Sequence, residues 1–378
     1  GQHAPGQAGA LPDTQSDRNL WRMRVRLGML AKISETFGAG FRIATGSGSP
    51  VSTNMTLGNS FRGSSLVLDR AYLKWDPQPW LSAMGGRMPN PWFWPTDLVW
   101  DEDLNFDGVA ASLKPRLNER TTAFVTAGAF PLQVADGTPL TPRPRDKWLF
   151  GIQAGAEWLA ENATRLKVGA AVFDYRDIHG VANPAGSNSQ ANDWSAPSFR
   201  QKGNSLFDIN QGTLNTGVKL ALAPKYRMLN IGGEFDFARF DPVFVKVAAD
   251  YVRNIGFDRA EIRARTGLDL APEVTGYQAR LTVGRDAIRA LHDWQVFVGY
   301  RYVERDATLD AFTDSDFYLG GTNTRGYFLG GFYGLDRNAY LRVRYLSGNE
   351  ITPLRDPLTS VAYPLAIDVF QADVNVRF

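Results

Sequence analysis

The stretch "NLWRMRVRLGML" (residues 19–30) sets Arg22, Arg24 and Arg26 at alternate positions among apolar side chains. Successive side chains of an extended chain point to opposite faces, so this alternation reads as a β-strand. Trp21, Met23, Val25, Leu27 and Met29 share one face, and the three arginines share the other. One face suits hydrocarbon and the other water. Either a half-buried strand of a soluble sheet or the wall of a membrane pore would meet that description, and the rest of the chain has to choose.

Composition narrows the choice. The chain has 378 residues, 44% of them hydrophobic, and mean hydropathy is −0.26. No run of about 20 apolar residues occurs, the length a membrane-spanning helix needs. Glycine (37) is plentiful, as are Phe (23), Tyr (13) and Trp (10), which suits many strands joined by tight turns. Cysteine is absent, in keeping with an exported protein. The formal net charge is +2, and no basic block or tail stands out, so nucleic acid is not an expected partner. Gly1 follows no initiator Met, which suggests a removed export signal or a start inside a longer product.

The opening pattern recurs. In "KWLFGIQAGAEWLA" (147–160), Trp148, Phe150, Ile152, Ala154, Ala156 and Trp158 face one way, and Gly151, Gln153, Gly155 and Glu157 the other. At ~3.3 Å per residue and a tilt of about 40°, Trp148 and Trp158 lie roughly 25 Å apart along a barrel axis, the height of the apolar band between aromatic girdles. The segments 163–175, 275–285, 293–304, 338–347 and 365–378 alternate in the same way.

The connections alternate too. Short links at 34–36, 76–79, 116–119, 160–162, 239–242, 287–292 and 335–337 interleave with long ones near 47–63, 89–103, 131–146, 176–225, 255–273, 305–323 and 348–364. Short periplasmic turns and long external loops are the rhythm of outer-membrane barrels. Fifteen strands follow: 20–33, 37–46, 65–75, 80–88, 104–114, 120–130, 147–159, 163–175, 226–238, 243–254, 275–285, 293–304, 324–334, 338–347 and 365–378. Bacterial single-chain barrels use even numbers, so the expected fold is an all-β transmembrane antiparallel β-barrel of 16 strands with 15 visible. On this reading residues 1–19 are the remnant of a first external loop and 20–378 a single barrel. The rival is a further strand at 213–223, which would reverse the turn rhythm; as part of a loop, the same segment would be an extended arm.

The stretches "STNMTLG" (52–58), "LDRAYLKW" (68–75), "GGRMPNPWFWPTDLVWDEDLNFDGVA" (85–110), "DSDFYLGGTNTRGYFL" (314–329) and the ending "VNVRF" resemble the putative porin family of proteobacterial outer membranes. The resemblance implies a 16-stranded porin in the bacterial outer membrane, usually a homotrimer, passing small hydrophilic solutes among lipid and lipopolysaccharide. Phe378, closing an amphipathic strand, resembles the signal read by the barrel-assembly machinery.

Strand parity assigns Arg22, Arg24, Arg26, Arg42, Arg70, Lys74, Arg280, Arg301, Arg342 and Arg344 to the lumen, with Arg165, Lys167, Lys246 and Arg377. Inward acids are fewer, so an anion-leaning pore is expected from rings of charge. The segment "PNPWFWPTDLVWDED" (89–103) carries three prolines and the aromatics Trp92, Phe93, Trp94 and Trp100, poor material for a floppy solvated loop. With the absent strand counted it is the third external loop, which in 16-stranded porins folds inward. Asp97, Asp101, Glu102 and Asp103 would then make an acidic constriction opposite the arginines; an outward loop against a neighbouring subunit is the alternative. Trp92, Phe93 and Trp94 could instead form a stacking track for sugars.

Asp310, Asp314 and Asp316 make an oxygen-rich stretch of the kind that holds structural calcium, though without EF-hand spacing; a solvated turn is the other reading. Otherwise no cofactor is expected. His3, His179 and His292 share no metal-ligand spacing, and neither a nucleophile elbow nor a phosphate loop occurs, so an enzyme is not expected. The expected function is a passive diffusion channel. A substrate-selective uptake channel, or a tethering barrel plugged by loop 176–225, are the alternatives.

Overall fold

The computed structural model describes residues 17–58, 60, 63–134, 144–240, 242–355, 362–363 and 365–378. Fifteen strands form one sheet: β1 (Arg26–Lys32), β2 (Phe37–Thr45), β3 (Leu66–Gln78), β4 (Leu81–Pro89), β5 (Asn105–Leu113), β6 (Thr121–Gln133), β7 (Lys147–Leu159), β8 (Arg165–Arg176), β9 (Arg227–Phe240), β10 (Val243–Asn254), β11 (Thr275–Gly284), β12 (Trp294–Val303), β13 (Thr324–Asp336), β14 (Ala339–Glu350) and β15 (Ala366–Val376). Each strand pairs antiparallel with its neighbour in sequence, so the chain is an up-and-down meander with no crossover. Backbone groups in hydrocarbon must find partners within the sheet, and a curled antiparallel sheet provides them.

Register aligns like with like. Leu281 stands beside Val298, and Val298 beside Leu329, all on the exposed apolar face of the sheet. On the other face Gly155 stands beside Gly169, then Gly232, Asp250, Gln278 and Arg301 in successive strands. This small and polar row matters for the site. Trp148 stacks on Phe150 near one end of β7, with ring centroids 5.8 Å apart, and Trp158 lies exposed near the other end.

Loops carry the structure round the curve. Asp103, just before β5, meets Arg26 of β1, while Asp316 meets both Arg344 of β14 and Gln371 of β15. Ser315 Oγ donates to the carbonyl of Val51 at 2.9 Å, joining the loop before β13 to the loop after β2. Among the described residues no ladder joins β1 to β15, so both are edges of the sheet.

Several expectations change in detail. The strand expected over 20–33 is two pieces: Arg22–Met23 pairs with Met55–Thr56 off the barrel sheet, and β1 starts only at Arg26. Leu220–Leu222 pairs with Leu206–Asp208 in a small hairpin, so 213–223 belongs to the long loop and adds nothing to the barrel. A helix, α1 (Arg259–Thr266), lies in loop 255–273; Asp258 Oδ1 accepts from the amides of Ala260 and Glu261, and Gly267 ends it in the left-handed conformation. Arg265 of α1 donates to the Gly180 carbonyl at 2.7 Å and also reaches that of Ala223, tying the helix to loop 176–225. That loop in turn bonds the loop before β13, through Asn204 to the carbonyls of Arg305 and Thr308 and through Ser205 to Asp306. The long loops thus pack on one another. The stretch read as a first external loop falls, over residues 1–16, outside the described residues.

Candidate functional site: loop 90–104 and the arginine-lined wall

The residues between β4 and β5 follow the polar row of the sheet strand by strand. Phe93 makes two hydrogen bonds with the Gln153 side chain of β7, its amide donating at 2.7 Å and its carbonyl accepting at 2.8 Å. Pro95 fills the space that a Cβ at Gly232 of β9 would occupy, its ring 2.8 Å from that point. Thr96 donates to Asp250 of β10 at 3.4 Å, and Asp97 accepts from Gln278 of β11 at 2.6 Å. Arg301 of β12 donates to the Asp97 carbonyl at 3.2 Å. The small residues of the row make room, and the polar ones supply the bonds.

Aromatic packing seats the start of the loop. Trp92, buried, meets Phe130 and Phe173 edge-on, with centroids 6.0 and 5.1 Å away. A Cβ at Gly151 would lie 2.6 Å from the Trp92 ring. Trp100 packs between Phe106 and Phe173 in the same manner. Trp94 alone of these tryptophans stays 37% exposed. Trp92 is therefore no part of an open stacking track, because its faces are taken by core aromatics.

The acids of the loop go to different places. Asp103 is buried and takes Arg24 at 3.1 Å and Arg26 at 2.5 Å. Glu102 is more than half exposed and lies 3.6 Å from Arg342. Asp101 is buried, accepting from the amides of Asp103 and Ser315 at 2.8 and 2.9 Å. Burial first, and then the neighbouring Asp314 carboxyl, push Asp101 up to about 9, so at neutral pH it is a protonated strut and carries no charge. Burial, followed by the nearby Asp97, likewise raises Asp314 to about 7, with Arg301 opposing.

The other basic residues named by parity divide into four groups. Arg42 pairs with Asp69, and Arg70 donates to Asn105 at 2.7 Å. A bulge where β2 meets β3 puts both Asp69 and Arg70 opposite β2, so Asp69 joins the polar face. Alternation hides that residue, because a bulge shifts the period by one. Lys74 sits at the short-turn end against Asp76 at 2.8 Å, and Arg22 is exposed off the barrel sheet. Arg301 does not face the water of the lumen: it is 1% exposed and donates to Gln278 at 2.8 Å and Thr313 at 2.5 Å as well as to Asp97. Arg280, Arg342 and Arg344 do line open space, a polar cavity of about 290 Å³ beside loop 90–104.

The aspartates of the oxygen-rich stretch, Asp310, Asp314 and Asp316, have partners of their own within the protein. Asp316 pairs with Arg344; burial works to raise its carboxyl, but Arg344 holds it below the ordinary carboxylate value. Asp314 accepts the amides of Asp316 and Phe317, and Asp310 is buried, which raises it to about 6. Among the described residues no three carboxylates or histidines converge on one point. Phe378 follows the end of β15 and is fully exposed.

No curated protein matches the chain. Among solved structures it is similar to the outer membrane channel DcaP of Acinetobacter baumannii, at 10% identity over 92% of this chain and 83% of that one, with a TM-score of 0.39. It is also similar to a mutant of the Rh. blastica porin, at 11% identity over 94% and 90% of the two chains, with a TM-score of 0.40. Residues 2–378 match the family described as putative porin. The chain belongs to that family, and it is a β-barrel channel of the bacterial outer membrane.

Proposed function

We propose that loop 90–104 is the constriction of a passive pore for small hydrophilic solutes, with a mild preference for anions. The observation that carries this reading is the order of the contacts, in which residues further along the loop meet strands further along the wall: Phe93 with β7, Pro95 with β9, Thr96 with β10 and Asp97 with β11. A loop seated along the polar wall occupies cross-section that water and solutes would otherwise use. Glu102 on the loop opposes Arg342 on the wall, so a dipolar solute crosses a transverse field.

The anion preference is mild because most of the arginines are paired. Of the cations around the polar cavity, Arg342 lies beside Glu102, Arg344 pairs with Asp316, Lys246 pairs with Asp286, and Arg301 is buried against the loop. Arg280 lines the same cavity with no ion pair among the described residues, and it supplies the positive excess. Reversal potential of single channels in a salt gradient tests the reading. An anion-selective potential that shrinks in Arg280→Gln is expected; a cation-selective potential would overturn it.

A further inference from the structure

β5 and β6 part company before they end. Their ladder covers only Val109–Leu113 against Val125–Ala129. Beyond it, Asn105–Gly108 pairs only with β4, and Phe130, Pro131 and Gln133 pair only with β7. Pro131 has no amide hydrogen to offer a ladder here. Where the strands separate, a cavity of about 220 Å³ opens between them and beneath Phe199 and Phe312 of the long loops. An apolar cavity of about 150 Å³ already admits benzene, so this one has room for a single substituted ring.

Its walls are mostly apolar, with Trp100, Phe106, Phe130 and Leu149 among them, yet Lys147 is also there. Lys147 is 4% exposed, and among the described residues its ammonium has one partner, the Ala196 carbonyl at 2.7 Å. An ammonium carries three donors, and no carboxylate lies within 4.0 Å of this one among the described residues. Two further buried polar atoms of the lining, Trp100 Nε1 and Gln133 Oε1, have no hydrogen-bond partner among the described residues. A buried cation without a counter-charge is costly, and an entering carboxylate would relieve that cost.

We propose that this cavity is a binding site for a small monocarboxylate with an aromatic or compact apolar body, the acid on Lys147 and the body among the rings. The cavity shares Trp100 and Leu104 with loop 90–104, but the proposal needs only that these residues pack as they do, and it stands whether or not that loop narrows the pore. Isothermal titration of the full chain in detergent micelles tests it with three probes: benzoate, benzyl alcohol as the same body without charge, and acetate as the charge without the body. Benzoate is expected to bind saturably, at least tenfold more tightly than either of the others. Lys147→Gln is expected to weaken benzoate at least tenfold while leaving benzyl alcohol unchanged. Ala311→Phe, which puts a ring into the cavity that Ala311 lines, removes benzoate binding and serves where the lysine variant fails to fold. Absent saturation, equal affinity for benzyl alcohol, or undiminished benzoate binding in Ala311→Phe would each overturn the proposal.

Discussion

Replacing Arg301 by leucine isolates what holds loop 90–104 in its seat. The guanidinium donates to the Asp97 carbonyl, to Gln278 and to Thr313 at 3.2, 2.8 and 2.5 Å, and it is almost fully buried. Each hydrogen bond to a charged group contributes about 1.5–3 kcal/mol, but removing the ion also removes its own desolvation cost. Breaking a buried charged constellation from one side typically costs about 3–5 kcal/mol. Since 1.4 kcal/mol is a factor of ten, a cost of about 3–5 kcal/mol should raise the ratio of unseated to seated loop by roughly two to three and a half orders of magnitude. Hydrogen exchange reads this directly, because the amides of Phe93 and Asp101 are bonded in the seat, to Gln153 and to the Phe312 carbonyl. Faster exchange confined to residues 90–104 is expected. The control is Arg342→Leu, whose 3.6 Å pair with the exposed Glu102 is worth at most about 1 kcal/mol. Unchanged protection in Arg301→Leu, with the barrel intact, would refute the reasoning.

Two more outcomes follow from the same seat. Asp101 has a folded value of about 9 against an ordinary 3.8, so between those values the folded chain keeps a proton that the unfolded chain has lost. Stability should therefore decline as pH rises from about 4 to 9 and then level off, and Asp101→Asn should flatten that part of a denaturation profile; an identical slope in the variant would count against it. Gly151→Ala drives a methyl to within 2.6 Å of the Trp92 ring and 2.9 Å of Phe173; overpacking of this kind costs about 1–3 kcal/mol, measurable as an earlier unfolding midpoint, and an unshifted midpoint would contradict the packing argument.

The barrel was legible in the sequence because its two solvents differ so sharply. Residues such as Leu281 and Val298 must meet hydrocarbon, and their neighbours Arg280 and Gly299 must not, so period two survives in nearly every strand. The proline- and tryptophan-rich character of 89–103 likewise announced a packed loop. Helix α1 also leaves a trace in the sequence: Asp258 followed by Glu261, with Gly267 beyond the last turn, is a capping pattern. Other features leave no such trace. Asp69 turns inward only because a bulge breaks the period, and Arg301 is buried only because a loop two hundred residues away in sequence covers it, with |i−j| of 204 to Asp97. Parity states which side of a wall a residue occupies; it does not state whether that side is wet. The cavity by Lys147 is hidden for a related reason, since it depends on where a ladder stops.

The seat of loop 90–104 is made largely with main-chain atoms. Gln153 bonds the amide and carbonyl of Phe93, Arg301 the carbonyl of Asp97, Thr313 the carbonyl of Leu98, and the Phe312 carbonyl receives the amide of Asp101. Grips of that sort are indifferent to which side chain the gripped residue bears. With the loop as the proposed constriction, exchanging an exposed group such as Glu102 for a neutral or basic one should re-tune what passes without dislodging the loop, and solute preference would drift by single substitutions while the gripped backbone keeps its shape.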